Sequence, residues 1–241
     1  MKPGIKICGL QPGDDLSFTV HTQVEHVGFV FVSASRRYLS PEQARPLVRS
    51  LPASCTAVGV MVDEDIDRIE AICERAELRH VQLHGRETPE FCRQLKTRGY
   101  TVWKALSVPD RVEGDLAVAM ANRIRPFLDT VDGILLDAAP PARAQTVTGG
   151  HGRRFDWQVL PSLADLLGSK RPPLWIAGGI RPDNVGECLS LFVPDGLDVS
   201  SGVEVGGRKS PERIQALIQA VVSTTSTVQG EREFKQAVTQ S

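Results

Sequence analysis

The chain has 241 residues, a formal net charge of −1, and 41% hydrophobic and 24% charged residues, an ordinary composition for a globular protein. Acidic and basic residues alternate along the whole length, so we expect no field of one sign that would attract nucleic acid or a membrane surface. The length suits one large domain, and any anionic ligand must be bound by local groups.

The five cysteines are odd in number, widely spaced and without a C-x-x-C pair, which argues against a disulfide framework or a structural zinc site. No segment has the ~20 apolar residues of a membrane span or the apolar stretch of a signal peptide. We therefore expect a soluble protein of the reducing cytoplasm that holds no metal.

Eight short apolar segments alternate with amphipathic stretches, and each is nearly continuously apolar, as strands covered on both faces are. The predicted strands are 5–8, 28–32, 56–62, 80–83, 101–106, 133–136, 174–177 and 196–200. Ser40-Pro41, Thr88-Pro89 and Ser210-Pro211 each place proline after an N-cap residue and predict helix starts. The pattern predicts an α/β fold, a single (β/α)8 barrel of parallel strands.

Two segments depart from this alternation. Residues 138–154, rich in Pro, Ala, Gly and Arg, form a long connection after the sixth strand, as lids and binding loops often do. The segment from Ser223 onward is polar and predicts a mobile extension, or at most a short surface helix. We therefore predict a catalytic barrel domain over 1–222 and a C-terminal extension over 223–241.

Cys8 and Asp137 each end a predicted strand, so both belong at the C-terminal rim where such barrels build active sites. A nearby cation would lower the pKa of the Cys8 thiol and make it a usable general base. Desolvation would raise the pKa of Asp137 and make it a general acid. The alternatives are a small buried apolar side chain for Cys8, and an N-cap or salt bridge for Asp137.

Small residues follow the last two strands at the same rim. Glycine lets the backbone approach a ligand, serine offers a hydroxyl, and the loops after strands seven and eight are the usual phosphate site of these barrels. A tight turn or a flexible loop tip would explain each glycine pair alone. The predicted phosphate-binding residues are Gly178, Gly179, Ser200, Ser201 and Gly202, with Gly150 and Gly152 of the long loop.

Basic side chains and a histidine complete the candidates. Arg36 and Arg37 follow the second strand and offer a planar fork for a carboxylate or phosphate, although one of them is expected to be a solvated surface charge. His84 ends the fourth strand and would orient substrate or bind a neighbouring loop. Lys6 and Lys104 lie in predicted strands, which leaves a Schiff-base aldolase open as an alternative.

Several of these motifs follow one another in a characteristic order over residues 4–220. They are Lys6-Ile7-Cys8-Gly9-Leu10, Ser35-Arg36-Arg37-Tyr38, Val81-Gln82-Leu83-His84-Gly85, Leu135-Leu136-Asp137, Ala177-Gly178-Gly179 and Asp198-Val199-Ser200-Ser201-Gly202-Val203-Glu204. In this order they resemble the phosphoribosylanthranilate isomerases of tryptophan biosynthesis. The opening and closing motifs, with the sixth-strand aspartate between them, are the most specific.

The resemblance implies a barrel without a cofactor that performs an Amadori rearrangement on a phosphorylated small molecule. It implies that Asp137 is the acid, that Cys8 is the base, and that Arg37, rather than Arg36, binds the substrate carboxylate. His84 and Asp198 match positions near the substrate, and the phosphate would rest on the glycine and serine loops. Both a monomer and a homodimer are compatible with these motifs.

The chain departs from the family pattern at Gln11, at Glu25-His26-Val27 before the second strand, and at His151 in the long loop. Two rival functions stay open. One is the histidine-pathway aminoaldose isomerase, or a bifunctional enzyme, which usually has aspartate at both catalytic positions. The other is a non-catalytic barrel that senses a phosphorylated ligand, which would have no reason to keep both Cys8 and Asp137.

Overall fold

Eight parallel strands close into a barrel in the order in which they occur along the chain. The structure, a computed structural model, describes residues 2–110, 112–139 and 154–239. The strands are β1 (Gly4–Cys8), β2 (Val24–Val30), β3 (Thr56–Met61), β4 (His80–Leu83), β5 (Thr101–Val108), β6 (Gly133–Ala138), β7 (Leu174–Ile176) and β8 (Gly196–Val199). This closed parallel barrel confirms the predicted fold class.

Helices cover the outside of the barrel within the described ranges. They are α1 (Pro41–Arg49), α2 (Ile66–Ala76), α3 (Pro89–Thr97), α4 (Leu116–Ile124), α5 (Val159–Leu167), α6 (Val185–Leu191) and α7 (Pro211–Thr239). The connection from β1 to β2 carries a 3-10 turn over Ser17–Val20 in place of a full helix. After β8 the chain forms a short hairpin of β9 (Glu204–Val205) and β10 (Arg208–Lys209).

Side-chain caps fix the helix starts that the sequence predicts. The Ser40 hydroxyl accepts a hydrogen bond from the Gln43 amide, and the Gln43 side chain accepts one from the Ser40 amide, which forms a capping box before Pro41. At the start of α3 the Thr88 hydroxyl accepts a hydrogen bond from the Phe91 amide, again before a proline. The caps satisfy amide groups that have no partner within the helix, so each helix begins at a defined residue.

The N-terminal end of the barrel interior is filled by four rings. His26, on β2, lies with its ring centre 4.9 Å from that of Trp103 and 5.1 Å from that of Trp175, and the His80 ring lies 4.6 Å from Trp103. The two indoles are 4.6 Å apart. His26 belongs to β2, which begins at Val24, four residues before the predicted strand at Gly28. The polar sequence at Glu25-His26 concealed this strand start.

A buried ion pair outside the barrel supports the rim behind His84. Lys104 donates from Nζ to Oε2 of Glu87 at 2.8 Å and to the carbonyl of Gly85 at 2.8 Å. Glu87 also accepts the amides of Asp63 and Gly85, so one carboxylate joins the loops after β3 and β4. Lys104 is therefore a structural residue, directed away from the barrel interior.

Helix α7 runs through the segment for which we predicted a mobile extension. It continues to Thr239, and within it Thr225 is buried and donates its hydroxyl to the Val221 carbonyl. The division of the chain at residue 222 stays a prediction, although the helix shows no break there. Within the described ranges, no helix has the length and apolar character needed to cross a membrane.

The ring cluster predicts a loss of stability in mild acid. Burial lowers the pKa of His26 to about 4 and that of His80 to about 3, with the Lys6 charge adding to both effects. His26 Nδ1 and His80 Nε2 have no hydrogen-bond partner among the described residues. Protons therefore bind the unfolded chain first as the pH falls below about 6.5, so each histidine weakens the fold by up to about 1.4 kcal/mol per pH unit.

Asp137, whose pKa is raised to about 7, contributes a slope of opposite sign in this range, so the histidine contribution is measured as the difference in urea-unfolding slope between the wild type and His80→Phe from pH 7 to pH 5. We expect His80→Phe to flatten the slope relative to the wild type, because a phenyl ring fills the site and binds no proton. An unchanged slope in the variant would contradict this source of acid sensitivity.

Candidate active site

One cavity at the C-terminal end of the barrel brings together the predicted site residues that lie within the described ranges. It is lined by Cys8, Arg37, His84, Asp137, Gly178, Gly179, Asp198, Ser200, Ser201 and Gly202, with apolar side chains from β2 and β3 between them. These residues come from β1, β2, β4, β6, β7 and β8 or the loops that follow them. Gly150, Gly152 and the family departure at His151 lie outside the described residues.

A buried ion pair forms the floor of this cavity. Lys6 Nζ lies 3.1 Å and 3.0 Å from the two carboxylate oxygens of Asp198, and the Lys6 side chain is fully buried. Burial alone would lower the pKa of Lys6, but the charges and hydrogen bonds of Asp198 and Cys8 outweigh it and raise the pKa. Lys6 is therefore a charged ammonium group, which makes it unsuitable as the nucleophile of a Schiff-base aldolase.

Cys8 lies beside this ion pair, and its thiol differs from the sequence expectation. Burial raises its pKa, and this effect exceeds the opposing influence of the Lys6 and Lys209 charges, while Asp198 adds to the increase. The Lys6 charge does lower the thiol pKa, as predicted, but the prediction took no account of desolvation, which sets the net direction of the shift. The cation is present, but the dry site disfavours the thiolate more strongly than the cation favours it.

Asp137 behaves as the sequence predicts. Burial, assisted by the negative charge of Asp198, raises its pKa to about 7, against the smaller effects of the Ala138 amide and Lys6. His84 Nε2 lies 3.6 Å from Asp137 Oδ2. Burial lowers the pKa of His84 to about 3, so this histidine is neutral at pH 7 and the contact is not an ion pair. Near neutral pH, Asp137 therefore holds its proton about half of the time.

The two arginines after β2 have different surroundings. The Arg37 side chain is 8% exposed and lines the cavity, whereas the Arg36 side chain is 56% exposed and does not line it. Both donate to Glu204, which also binds Lys209 Nζ at 2.8 Å. Arg37 is thus the one of the pair that has access to a ligand in the cavity.

The loops after β7 and β8 pack against each other through glycine. A side chain at Gly202 would place Cβ 1.8 Å from the Ile180 carbonyl oxygen, and Gly178 has a φ of +85° beside Asp137. Within the described ranges, the amides of Gly179 and Ser201 donate to no protein acceptor. Amides of this kind, on adjacent loops without a lysine, form an anion site built from the backbone.

The family model for N-(5'-phosphoribosyl)anthranilate (PRA) isomerase matches residues 5–220. The chain belongs to the phosphoribosylanthranilate isomerase family. A relative named N-(5'-phosphoribosyl)anthranilate isomerase, from Moorella thermoacetica, is 40% identical over 90% of this chain and 88% of its own length.

Solved structures of the same family agree with the fold. The phosphoribosyl anthranilate isomerase from Thermotoga maritima is 33% identical, with a TM-score of 0.75 over 92% of this chain and 99% of that one. Another isomerase, in complex with reduced 1-(o-carboxyphenylamino)-1-deoxyribulose 5-phosphate, is 32% identical with a TM-score of 0.72 over 92% of this chain and 99% of that one. This family membership supports the isomerase and gives no support to the two rival functions, the histidine-pathway isomerase and the non-catalytic sensor.

Sequence reasoning missed three residues at this site. Gln82 is buried in the cavity wall, with an Oε1 atom that has no partner among the described residues. Glu204 and Lys209 form the network around Arg37 and the β8 loop. Gln82 belongs to the same sequence motif as His84, and Glu204 is the last residue of the motif after β8, so the sequence contains a signal for both. Lys209 carried no recognisable signal.

The raised pKa of Asp137 predicts that this side chain destabilises the fold at high pH. The folded protein holds the proton up to about pH 7, whereas an unfolded aspartate loses it near 3.8. Stability therefore falls as the pH rises between these values. We expect Asp137→Asn to be about 2–4 kcal/mol more stable than the wild type at pH 8, with the difference vanishing toward pH 4.

Chemical denaturation of both proteins at pH 4, 6 and 8 measures this difference. Equal stability of the two proteins at pH 8 would show that the Asp137 carboxylate is not disfavoured in the folded site.

Proposed function

We propose that Asp137 is the general acid and Cys8 the general base of the isomerase reaction that family membership assigns to this chain. That reaction is the Amadori rearrangement of N-(5-phosphoribosyl)anthranilate to 1-(2-carboxyphenylamino)-1-deoxyribulose 5-phosphate in tryptophan biosynthesis. The observation that carries the proposal is the pKa of about 7 at Asp137, in a cavity that also exposes Cys8. A carboxyl that keeps its proton near neutral pH can donate it to a substrate oxygen.

In the first step, Asp137 donates its proton to the ribose ring oxygen. The bond between this oxygen and C1 breaks, and the nitrogen lone pair forms a C1=N iminium. Asp137 is left as a carboxylate, which the burial that raised its pKa makes a strong proton acceptor. The neutral His84 ring, 3.6 Å away, can donate or accept a hydrogen bond as the charge on Asp137 changes.

In the second step, the Cys8 thiolate removes the proton from C2. The electrons of the C2–H bond form a C1=C2 double bond, and those of the iminium return to nitrogen, which gives an enolamine. Tautomerisation to the ketone removes the C2 hydroxyl proton, which the Asp137 carboxylate can take up, and adds a proton at C1, which the Cys8 thiol can supply, so both groups return to their starting forms. Lys6, held by Asp198, provides a fixed positive charge beside the thiolate while it exists.

Because of the two pKa shifts, only a small part of the enzyme has the protonation states that the proposed reaction requires. Asp137 has a pKa of about 7, and burial raises that of Cys8 above its ordinary value. Protonated Asp137 together with thiolate Cys8 is therefore a small fraction of the enzyme at every pH. That fraction is largest between the two pKa values, where we place the optimum of kcat/KM. A low fraction is compatible with catalysis because a thiolate of high pKa is a strong base.

Arg37 is proposed to bind the anthranilate carboxylate, and His84 and Asp198 to lie near the sugar. The phosphate is proposed to bind the amides of Gly179 and Ser201 and their neighbours Gly178, Ser200 and Gly202. These assignments are supported by the buried position of Arg37 in the cavity wall and by the amides of Gly179 and Ser201, which have no acceptor in the part of the chain that the structure describes. The absence of a cofactor, the cytoplasmic location and the choice between monomer and homodimer stay predictions from the sequence.

Removing the acid or the base should reduce turnover and leave binding almost intact. We expect Asp137→Asn and Cys8→Ala each to lower kcat by about 100-fold to 10,000-fold, because each group acts mainly in the transition state. Affinity for the reduced product analogue, measured by calorimetry, should change by less than about 3-fold. Loss of anthranilate-type fluorescence from freshly generated substrate follows the reaction.

Cys55→Ala is the matched control, because Cys55 is also buried and has a raised pKa of about 11 but does not line the cavity. Its kcat should equal that of the wild type. Comparable losses in Cys55→Ala and Cys8→Ala would contradict a specific role for Cys8.

The adjacent arginines provide a second matched pair. We expect Arg37→Ala to raise KM by about 10-fold to 100-fold with a smaller effect on kcat, because it removes a charged carboxylate ligand. Arg36→Ala, at the exposed neighbour, should change KM by less than about 3-fold. Steady-state kinetics of the two variants decide the assignment, and equal effects on KM would overturn it.

A further inference from the structure

Glu204 contacts three cationic side chains at the edge of the cavity and is itself buried. Its carboxylate accepts from Arg37 Nε at 2.7 Å and Arg37 Nη2 at 3.0 Å. It also accepts from Lys209 Nζ at 2.8 Å and Arg36 Nη2 at 2.6 Å. The side chain is 5% exposed. The proposed reaction gives no role to this residue.

From this geometry we propose that Glu204 is the positioning residue for Arg37, which fixes the guanidinium in the orientation that binds the substrate carboxylate. The inference deepens the proposed function and rests on it, since it concerns the same carboxylate-binding arginine. Glu204 does not line the cavity, so it acts through Arg37 and not on the substrate.

The donor geometry of Arg37 supports this role. A guanidinium has five N–H donors, and Glu204 uses the one on Nε and one on Nη2. Both donors of Nη1 and the second donor of Nη2 have no acceptor among the described residues. These donors form the other edge of the plane, which suits a second carboxylate in a two-point contact. Glu204 therefore holds the Nε–Nη2 side of Arg37 and leaves the adjacent Nη1–Nη2 end available.

Electrostatics keep this arrangement fixed. Burial favours a protonated Glu204, but hydrogen bonds and charges from Arg37 and Lys209 outweigh it and hold the pKa of Glu204 at about 2. Glu204 is thus ionised throughout the working pH range. One negative charge among three positive ones leaves the cluster with a net positive charge, which still attracts an anionic substrate.

Lys209 connects Glu204 to the proposed phosphate loop. Its Nζ atom donates to the Ser200 carbonyl at 3.1 Å as well as to Glu204, and the side chain is 1% exposed. Arg37 is thereby tied, through Glu204 and Lys209, to the loop that follows β8. An arginine held in this way loses little conformational freedom when the substrate arrives, which favours binding.

The test compares Glu204→Gln with the wild type on two substrates. One is N-(5-phosphoribosyl)anthranilate, and the other is N-(5-phosphoribosyl)aniline, which lacks only the carboxylate. We expect Glu204→Gln to raise KM for the first by at least about 10-fold while kcat changes by less than about 3-fold. KM for the second should stay within about 2-fold of the wild type, because Arg37 has no carboxylate to bind there.

A double-mutant cycle separates positioning from general damage. In the Arg37→Ala background, Glu204→Gln should have no further effect on KM, since the group it positions is gone. Glu204→Asp, which keeps the charge on a shorter side chain, should give a KM between those of the wild type and Glu204→Gln. Thermal unfolding of each variant checks that it is folded. If Glu204→Gln does not fold, Glu204→Asp replaces it in the comparison.

Several results would overturn the inference. A lower KM in Glu204→Gln would mean that Glu204 competes with the substrate for Arg37. Equal effects on both substrates, or full additivity with Arg37→Ala, would mean general damage to the site. If the wild type itself does not distinguish the two substrates, the role of Arg37 fails and the inference fails with it. If the wild type has different KM values for the two substrates and Glu204→Gln shows the same difference, the role of Arg37 stands and only the role of Glu204 fails.

Discussion

The buried ion pair between Lys6 and Asp198 is the interaction on which the site depends. These side chains come from β1 and β8, the two strands that close the barrel, and they place opposite charges directly beneath the cavity. Asp198 helps to raise the pKa of Asp137, and Lys6 opposes the burial of the Cys8 thiolate. Removing either partner would leave an uncompensated charge in the barrel, which costs far more than the pair contributes.

Burial then gives the neighbouring groups their protonation states. The same dry surroundings favour the neutral forms of Asp137, Cys8 and His84, which raises the first two pKa values and lowers the third. A neutral carboxyl beside a neutral imidazole is ready to donate a proton. The proposed role of Cys8 as a base requires its thiol to ionise in surroundings that disfavour charge. The fixed cations Lys6 and Lys209 partly offset this effect.

Two different arrangements at the rim are proposed to bind the two anionic ends of the substrate. Glycines allow the β7 and β8 loops to meet, and the amides of Gly179 and Ser201 have no acceptor among the described residues, so the proposed phosphate site needs no side-chain cation. For the other end we propose Arg37, a long side chain that donates hydrogen bonds to Glu204. Lys209 joins the two arrangements through Ser200. The hairpin after β8, which carries Glu204 and Lys209, is thus as important to the site as the strands themselves.

Local periodicity and capping residues are enough to predict the eight strands, most helix starts, and the positions of Cys8 and Asp137 at strand ends. They do not predict the early start of β2, since the contacts of His26 with Trp103 and Trp175 exist only in the folded barrel. Tertiary structure alone decided the pairing of Lys6 with Asp198, 192 residues away, and of Arg37 with Glu204, 167 residues away. It also decided the direction of the Cys8 pKa shift, because desolvation depends on every atom around the thiol and not on its neighbours in sequence.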